Sequence, residues 1–118
     1  MAVYVDDMRL KARVGRITAL WSHLIADTEE ELHAFAAELG LKRSWFQKPK
    51  GLDGRSPAKP HSLKAQMWHY DVTDAKRDQA IAMGAIPITL RQSIEIIRAR
   101  HARLFPVEEE QPTLDLDL

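Results

Sequence analysis

Two strand-like segments near the N-terminus, Val3 to Asp6 and Ile17 to Ala26, are joined by a connection too short for a helical crossover, and that spacing most limits the folds open to the chain. Parallel strands need a dozen or more residues to cross over, whereas antiparallel strands need only a turn. The pattern therefore predicts that the two segments pair as an antiparallel hairpin, with residues 8–16 as a basic link and Gly15 turning the chain. Thr28 and Glu31 then have the spacing of a capping box, in which a hydroxyl and a carboxylate satisfy the open N–H groups of a helix start. Leu32, Phe35, Ala36 and Leu39 recur on one helical face, and Gly40 stops the helix.

Residues 47–66 hold Pro49, Pro57, Pro60, Gly51 and Gly54 among many lysines, with no apolar period, and read as a long basic loop. Asp74 to Met83 reads as an alanine-rich helix capped by Asp71 or Thr73 and ended by Gly84. A strand from Ala85 to Thr89 follows, placed at an edge or bulge by Pro87. Thr89 with Gln92 forms a second capping box, and Leu90, Ile94, Ile97, His101 and Leu104 mark the apolar stripe of a last helix ending before Pro106. With 118 residues and 45% hydrophobic content, the chain supports one modest core. The expected fold is a single small α/β domain over residues 1–106, with about three short strands in a mixed sheet packed with three helices. Residues 107–118 read as a disordered acidic tail.

The absence of cysteine excludes a disulfide framework, a thiolate zinc site and a cysteine nucleophile. No apolar run approaches the roughly 18–20 residues of a membrane span, and no signal peptide precedes Val3-Tyr4-Val5, so a cytoplasmic protein without membrane attachment is expected. The zero formal charge conceals an asymmetry: five of the 17 acids fall in residues 107–118, which hold no base, leaving 17 bases against 12 acids in residues 1–106. The excess gathers in Arg9, Lys11, Arg13 and Arg16, and in Lys42, Arg43, Lys48, Lys50, Arg55, Lys59 and Lys64. Such segments attract phosphates and nucleic acid, and are also ordinary solvated loops.

Residues 69–77, His-Tyr-Asp-Val-Thr-Asp-Ala-Lys-Arg, gather an imidazole, a phenol, a carboxylate and two cations at what reads as a helix start, where open N–H groups favour an anion. His69 and Asp71 are candidate acid-base residues together with Asp7, and Tyr70, Lys76 and Arg77 candidate phosphate contacts. Asp6, Asp7, His23 and His69 offer carboxylate and imidazole ligands for a divalent metal, manganese, magnesium or zinc. A plain hairpin would put Asp7 and His23 toward opposite ends. Each residue also has a structural reading: Asp71 and Asp27 as helix caps, His33 as a packed boundary histidine, His101 as part of the last helix's stripe, and Lys76 and Arg77 as ion-pair partners of Asp7 or Asp74. Trp45, Phe46, Trp68 and Tyr70 either stack on a flat ligand or complete the core.

The succession Tyr-Val-Asp-Asp at 4–7, Ser-His-Leu with Ala-Asp at 22–27, Glu-Leu-His at 31–33, Trp-Phe-Gln at 45–47, His-Tyr-Asp at 69–71, Lys-Arg at 76–77 and Gly-Ala at 84–85 resembles a small bacterial and phage family known as a domain of unknown function. The resemblance spans roughly residues 1–92 and implies no activity. From the residues themselves, the expected function is a phosphate-directed, metal-dependent hydrolase of nucleotides or nucleic acid. The alternative is a non-catalytic nucleic-acid- or protein-binding regulator. Its tail, Gln111-Pro-Thr-Leu-Asp-Leu-Asp-Leu, resembles peptides that dock on the bacterial sliding clamp, with Gln111, Leu114 and Leu116 as anchors.

Overall fold

A computed structural model describes residues 2–106. Gln111, Leu114 and Leu116 lie outside the described residues. The chain forms strands β1 (Val3–Val5), β2 (Leu10–Val14), β3 (Ile17–Ala26), β4 (Tyr70–Thr73) and β5 (Ile86–Pro87), and helices α1 (Glu29–Leu39), α2 (Asp74–Ala82) and α3 (Leu90–Leu104). The mixed sheet thus has two strands beyond the three expected.

β1 and β3 pair antiparallel as their spacing requires, with Val3 opposite Ala26 and Val5 opposite Leu24. The link between them is itself a strand. Leu10, Ala12 and Val14 alternate with Lys11 and Arg13, and β2 turns at Gly15-Arg16 to pair with β3 from Val14–Ile17 to Leu10–Trp21. Leu24 has both Val5 and Tyr70 as neighbours, and Trp21 both Leu10 and Thr73, so β1 and β2 share one edge of β3 while β4 takes the other. Because β2 fills the near half of that edge, β1 is displaced to the far half. Between the two registers, residues 6–9 stand against only residues 22 and 23, a bulge closed by Arg9 at φ 45° with its N–H on Ser22 Oγ at 3.0 Å. β5 runs parallel to β1 at the outer edge, where Pro87 costs no ladder bond.

β4 corrects the helix start expected at His69–Arg77. Tyr70 and Val72 are buried while Asp71 and Thr73 stay partly exposed, the period of a half-buried strand. α2 begins only afterwards, and its N-cap is Thr73, whose hydroxyl accepts from the Lys76 N–H, not Asp71. One sheet face, with Val5, Leu24, Ala26, Tyr70 and Val72, packs on Leu32, Ala36 and Leu39 of α1 and Ala80 of α2. Each fully buried leucine of this core, Leu24, Leu32 and Leu39, contributes roughly 1.5–3 kcal/mol by leaving water.

Thr28 accepts from the Glu31 N–H and Gly40 ends α1 at φ 91°, as the sequence predicts, but the box expected there is only half made, the Glu31 carboxylate taking the Thr28 hydroxyl at 3.1 Å; at α3, Thr89 and Gln92 form the full reciprocal box. The buried side of α3, however, is Ser93, Ile97 and Arg100, while Leu90, Ile94 and Leu104 are exposed. His101 binds the His61 carbonyl through Nε2 at 2.7 Å, tying the helix to the loop. That loop contains a bridge between Lys50 and Pro57 and a 3-10 turn at Lys64–Gln66. Among the described residues no helix is long and apolar enough to cross a membrane.

Candidate metal centre

The second face of the sheet carries the chemistry, and the register explains why. His23 and Asp71 are direct cross-strand partners, so their side chains leave the sheet on the same side, opposite to the buried Leu24 and Tyr70. His69 lies two residues before Asp71 and is bridged to Gln47, which puts both on that side as well. Asp6 follows Val5 along the edge and faces His23 across the bulge, its N–H on the His23 carbonyl at 3.0 Å. Five residues distant in sequence therefore meet on one small patch.

One ligand atom each from His23, His69 and Asp71 lie within 4.8 Å of one another. His69 Nε2 is 3.3 Å from Asp71 Oδ1, and the two imidazole rings meet edge to face with centroids 4.8 Å apart. In each histidine the other nitrogen is already engaged. His23 Nδ1 lies 2.7 Å from Asp6 Oδ2, and His69 Nδ1 is 2.9 Å from the Met67 carbonyl, an acceptor that requires a protonated Nδ1. Nε2 is thus the nitrogen left free in each ring, and that of His69 faces Asp71, the arrangement by which a second carboxylate or carbonyl fixes a metal-binding histidine. Metal bonds of about 2.0–2.2 Å set neighbouring ligand atoms roughly 3–3.5 Å apart, so the His69–Asp71 spacing already fits and His23 needs only a small side-chain adjustment. The side chains of His23, His69 and Asp71 are 28%, 21% and 33% exposed, which leaves one side open to solvent.

The electrostatics follow the same contacts. Burial pushes the Asp6 carboxyl up, but hydrogen bonds from the His23 ring, the His23 N–H at 2.9 Å and the Met8 N–H at 3.2 Å outweigh it and hold the group below its usual value. His23 is raised, because its bond to Asp6 and the charges of Asp6 and Asp71 outweigh burial. For Asp71, burial is likewise outweighed by His69, His23 and the amide of Gln47, and its carboxyl is lowered. Two imidazoles and one ionised carboxylate form a donor set suited to zinc, manganese or iron more than to magnesium, which prefers oxygen alone.

Several candidate residues have other partners. The Asp7 carboxylate accepts the Leu90 N–H at 2.9 Å and so tops the first turn of α3. A plain hairpin would separate Asp7 and His23; instead the displaced β1 brings the neighbouring Asp6 opposite His23 and makes it the residue that orients the ring. Lys76 Nζ donates to the Leu39 carbonyl at 2.7 Å, closing the end of α1. Tyr70 is buried on the core face with its hydroxyl 2.9 Å from His33 Nδ1, and His33 also packs edge to face on Phe46. Arg77 stays close to the site, its Nε donating to the Asp6 carbonyl at 2.8 Å. Asp74 pairs with Arg9 at 2.6 Å, not with Lys76 or Arg77. Phe46, Trp68 and Tyr70 belong to the core cluster, and Trp45 is half exposed. The sequence shows Gln47 only as the end of the Trp-Phe-Gln motif, since nothing local marks a glutamine for a role set by a bridge 22 positions away.

A family model described as "Protein of unknown function (DUF4031)" matches residues 3–100, so the chain belongs to that family. The match runs farther than the resemblance read from the motifs and takes in most of α3. No curated protein and no solved structure matches the chain significantly.

Proposed function

We propose that this member of the DUF4031 family is a metal-dependent hydrolase directed at phosphoesters of nucleotides or nucleic acid. The observation that carries the reading is the convergence of His23, His69 and Asp71 with both Nδ1 atoms already held by acceptors. A divalent metal, zinc or manganese before magnesium, would supply there a Lewis acid that activates water against a phosphoester. Asp6 holds the His23 ring in place, Gln47 does the same for the Asp71 carboxylate, and the open side of the cluster admits a substrate. Arg77, pinned to the Asp6 backbone, is the cation placed to meet a phosphate, and the basic residues of β2 and of the loop after Gln47 favour approach of a polyanion. Asp7, Lys76 and Tyr70 have structural roles in this reading.

The test is metal content and stability of the full chain purified without chelator. Zinc or manganese is expected to co-purify, or to raise the melting temperature when added after EDTA treatment. His69→Ala and His23→Ala should each remove that effect. Hydrolysis of a chromogenic phosphodiester, nucleotides and oligonucleotides is then compared between wild type and His69→Ala. No thermal shift with any divalent metal, or an equal shift in both variants, refutes the site; metal binding with no turnover of any phosphoester refutes the hydrolase.

A further inference from the structure

The second site of interest lies where α3 meets the basic loop, and its lining includes none of His23, His69 and Asp71. Arg100 is only 3% exposed, yet its Nε, Nη1 and Nη2 have no hydrogen-bond partner among the described residues. Buried guanidinium groups are almost always met by acceptors, because each unpaired donor forfeits its bonds to water without replacement. The ring of Trp68 lies under the guanidinium, 3.7 Å from its central carbon to the ring centroid, which compensates the charge but satisfies no N–H. Burial also pushes the Arg100 pKa down to about 10, so the group is still charged near neutral pH.

Arg100 lines a cleft of about 620 Å³ together with Arg103, Lys48, Gln66, Trp68 and the start of α1 at Thr28. Of the carboxylates along it, Glu30 is exposed, and Asp27 and Glu29 are engaged elsewhere. Asp27 accepts from the Ala2 N–H at 2.9 Å and from the Tyr4 hydroxyl at 3.1 Å, while Glu29 pairs with Lys48 at 3.3 Å and lies 3.7 Å from His33. A planar fork without an acceptor and a second arginine on the next turn of α3 thus border one opening, beside the first turn of α1 with its Glu29 and Glu30. We infer that this cleft is an anion-binding site, separate from the metal centre, in which a carboxylate or phosphate group is held by Arg100 against Trp68. The inference does not rest on the hydrolase reading. Two sources carry this chemistry: a small oxyanionic ligand, or the acids that follow α3 in the chain, Glu108, Glu109 and Glu110.

The experiment titrates full-length protein with inorganic phosphate and with succinate in an anion-poor buffer, following heat of binding and melting temperature. It compares wild type, Arg100→Met, Arg100→Lys and the triple variant Glu108→Gln, Glu109→Gln, Glu110→Gln. Methionine keeps the packing over Trp68 without the charge, and lysine keeps the charge without the fork. Saturable binding by wild type, weakened at least tenfold by both Arg100 substitutions, supports the site with a free ligand. Binding only by the triple variant, abolished when Arg100→Met is added, supports it with the chain's own acids as occupant. Should one Arg100 variant fail to fold, the other decides. The inference is overturned if neither wild type nor the triple variant binds either probe, or if affinity is indifferent to Arg100.

Discussion

Replacing Asp6 separates the candidate metal centre from the fold that presents it. The Asp6 side chain is 1% exposed and accepts three hydrogen bonds, from the His23 N–H, the His23 ring and the Met8 N–H, at 2.9, 2.7 and 3.2 Å. Asp6→Ala leaves these donors inside without an acceptor. Breaking a buried charged pair in this way costs about 3–5 kcal/mol, a large share of the roughly 5–15 kcal/mol that stabilises a domain of this size. Asp6→Asn keeps the shape and one acceptor, and the expected cost falls to about 1–3 kcal/mol. The natural control is Asp7→Ala, which removes only the acceptor for Leu90 and should cost about 0.5–2 kcal/mol, as other helix caps do. Urea unfolding followed by tryptophan fluorescence, in EDTA so that no metal contributes, measures all three. In the metal-bound protein Asp6→Asn should also weaken metal affinity about 10–100-fold, because His23 loses the group that orients it. An Asp6→Ala cost no larger than that of Asp7→Ala would refute the argument that Asp6 is the buried anchor of this site.

Three further outcomes follow from single contacts. Burial, with the Arg43 charge adding to it, holds the His33 imidazole below its usual value, so its folded pKa lies under the unfolded one of about 6.5; the associated stability is complete above that pH and is lost as pH falls through the folded value. Wild type should therefore lose more stability between about pH 7 and about pH 5 than His33→Gln, and parallel urea midpoints across that range would contradict it. Gly40→Ala forces a Cβ into a φ of 91° and to 3.1 Å from Lys76 Nζ, and should cost about 1–3 kcal/mol in thermal or urea unfolding. Thr89→Ala removes half of the capping box of α3 and is expected to cost about 1 kcal/mol, with lower helical ellipticity near the midpoint; an unchanged midpoint would mean the cap contributes nothing.

What was readable in the chain and what was not divides along local and non-local physics. The caps at Thr28, Gly40 and Thr89 are signals held within four residues, and they stand where the spacing put them. β2 and β4 carried an equally local signal, the alternation of Leu10, Ala12 and Val14 with Lys11 and Arg13, and of Tyr70 and Val72 with Asp71 and Thr73. It was outweighed by the density of basic residues in one and of capping residues in the other. Of the site, Asp6, His23, His69 and Asp71 were all recognisable as chemistry, but not their roles. Whether Asp6 is a ligand or an orienter depends on β1 pairing with the far half of β3, a register set by where β2 ends. Arg100 follows Ile97 by three positions on the buried side of α3, one residue off the Leu90, Ile94 and His101 stripe that the apolar spacing predicts.

The pairing of Gln47 with His69 has a consequence for how this architecture tolerates change. The Gln47 N–H meets the His69 carbonyl at 2.9 Å and the His69 N–H meets the Gln47 carbonyl at 3.1 Å, so everything between them is a closed excursion from one fixed point. Lengthening such an excursion costs only about 0.6 kcal/mol per doubling and moves neither anchor. A single residue inserted between His69 and Tyr70 does the opposite, since it exchanges the faces of the strand relative to that anchor, sends Asp71 toward the core and brings its apolar neighbours to the surface. The domain thus joins a segment that tolerates added length to one fixed in phase, and residues can be inserted around the exposed Leu52 to Arg55, clear of the tie between His61 and α3, without disturbing the histidines of the metal centre.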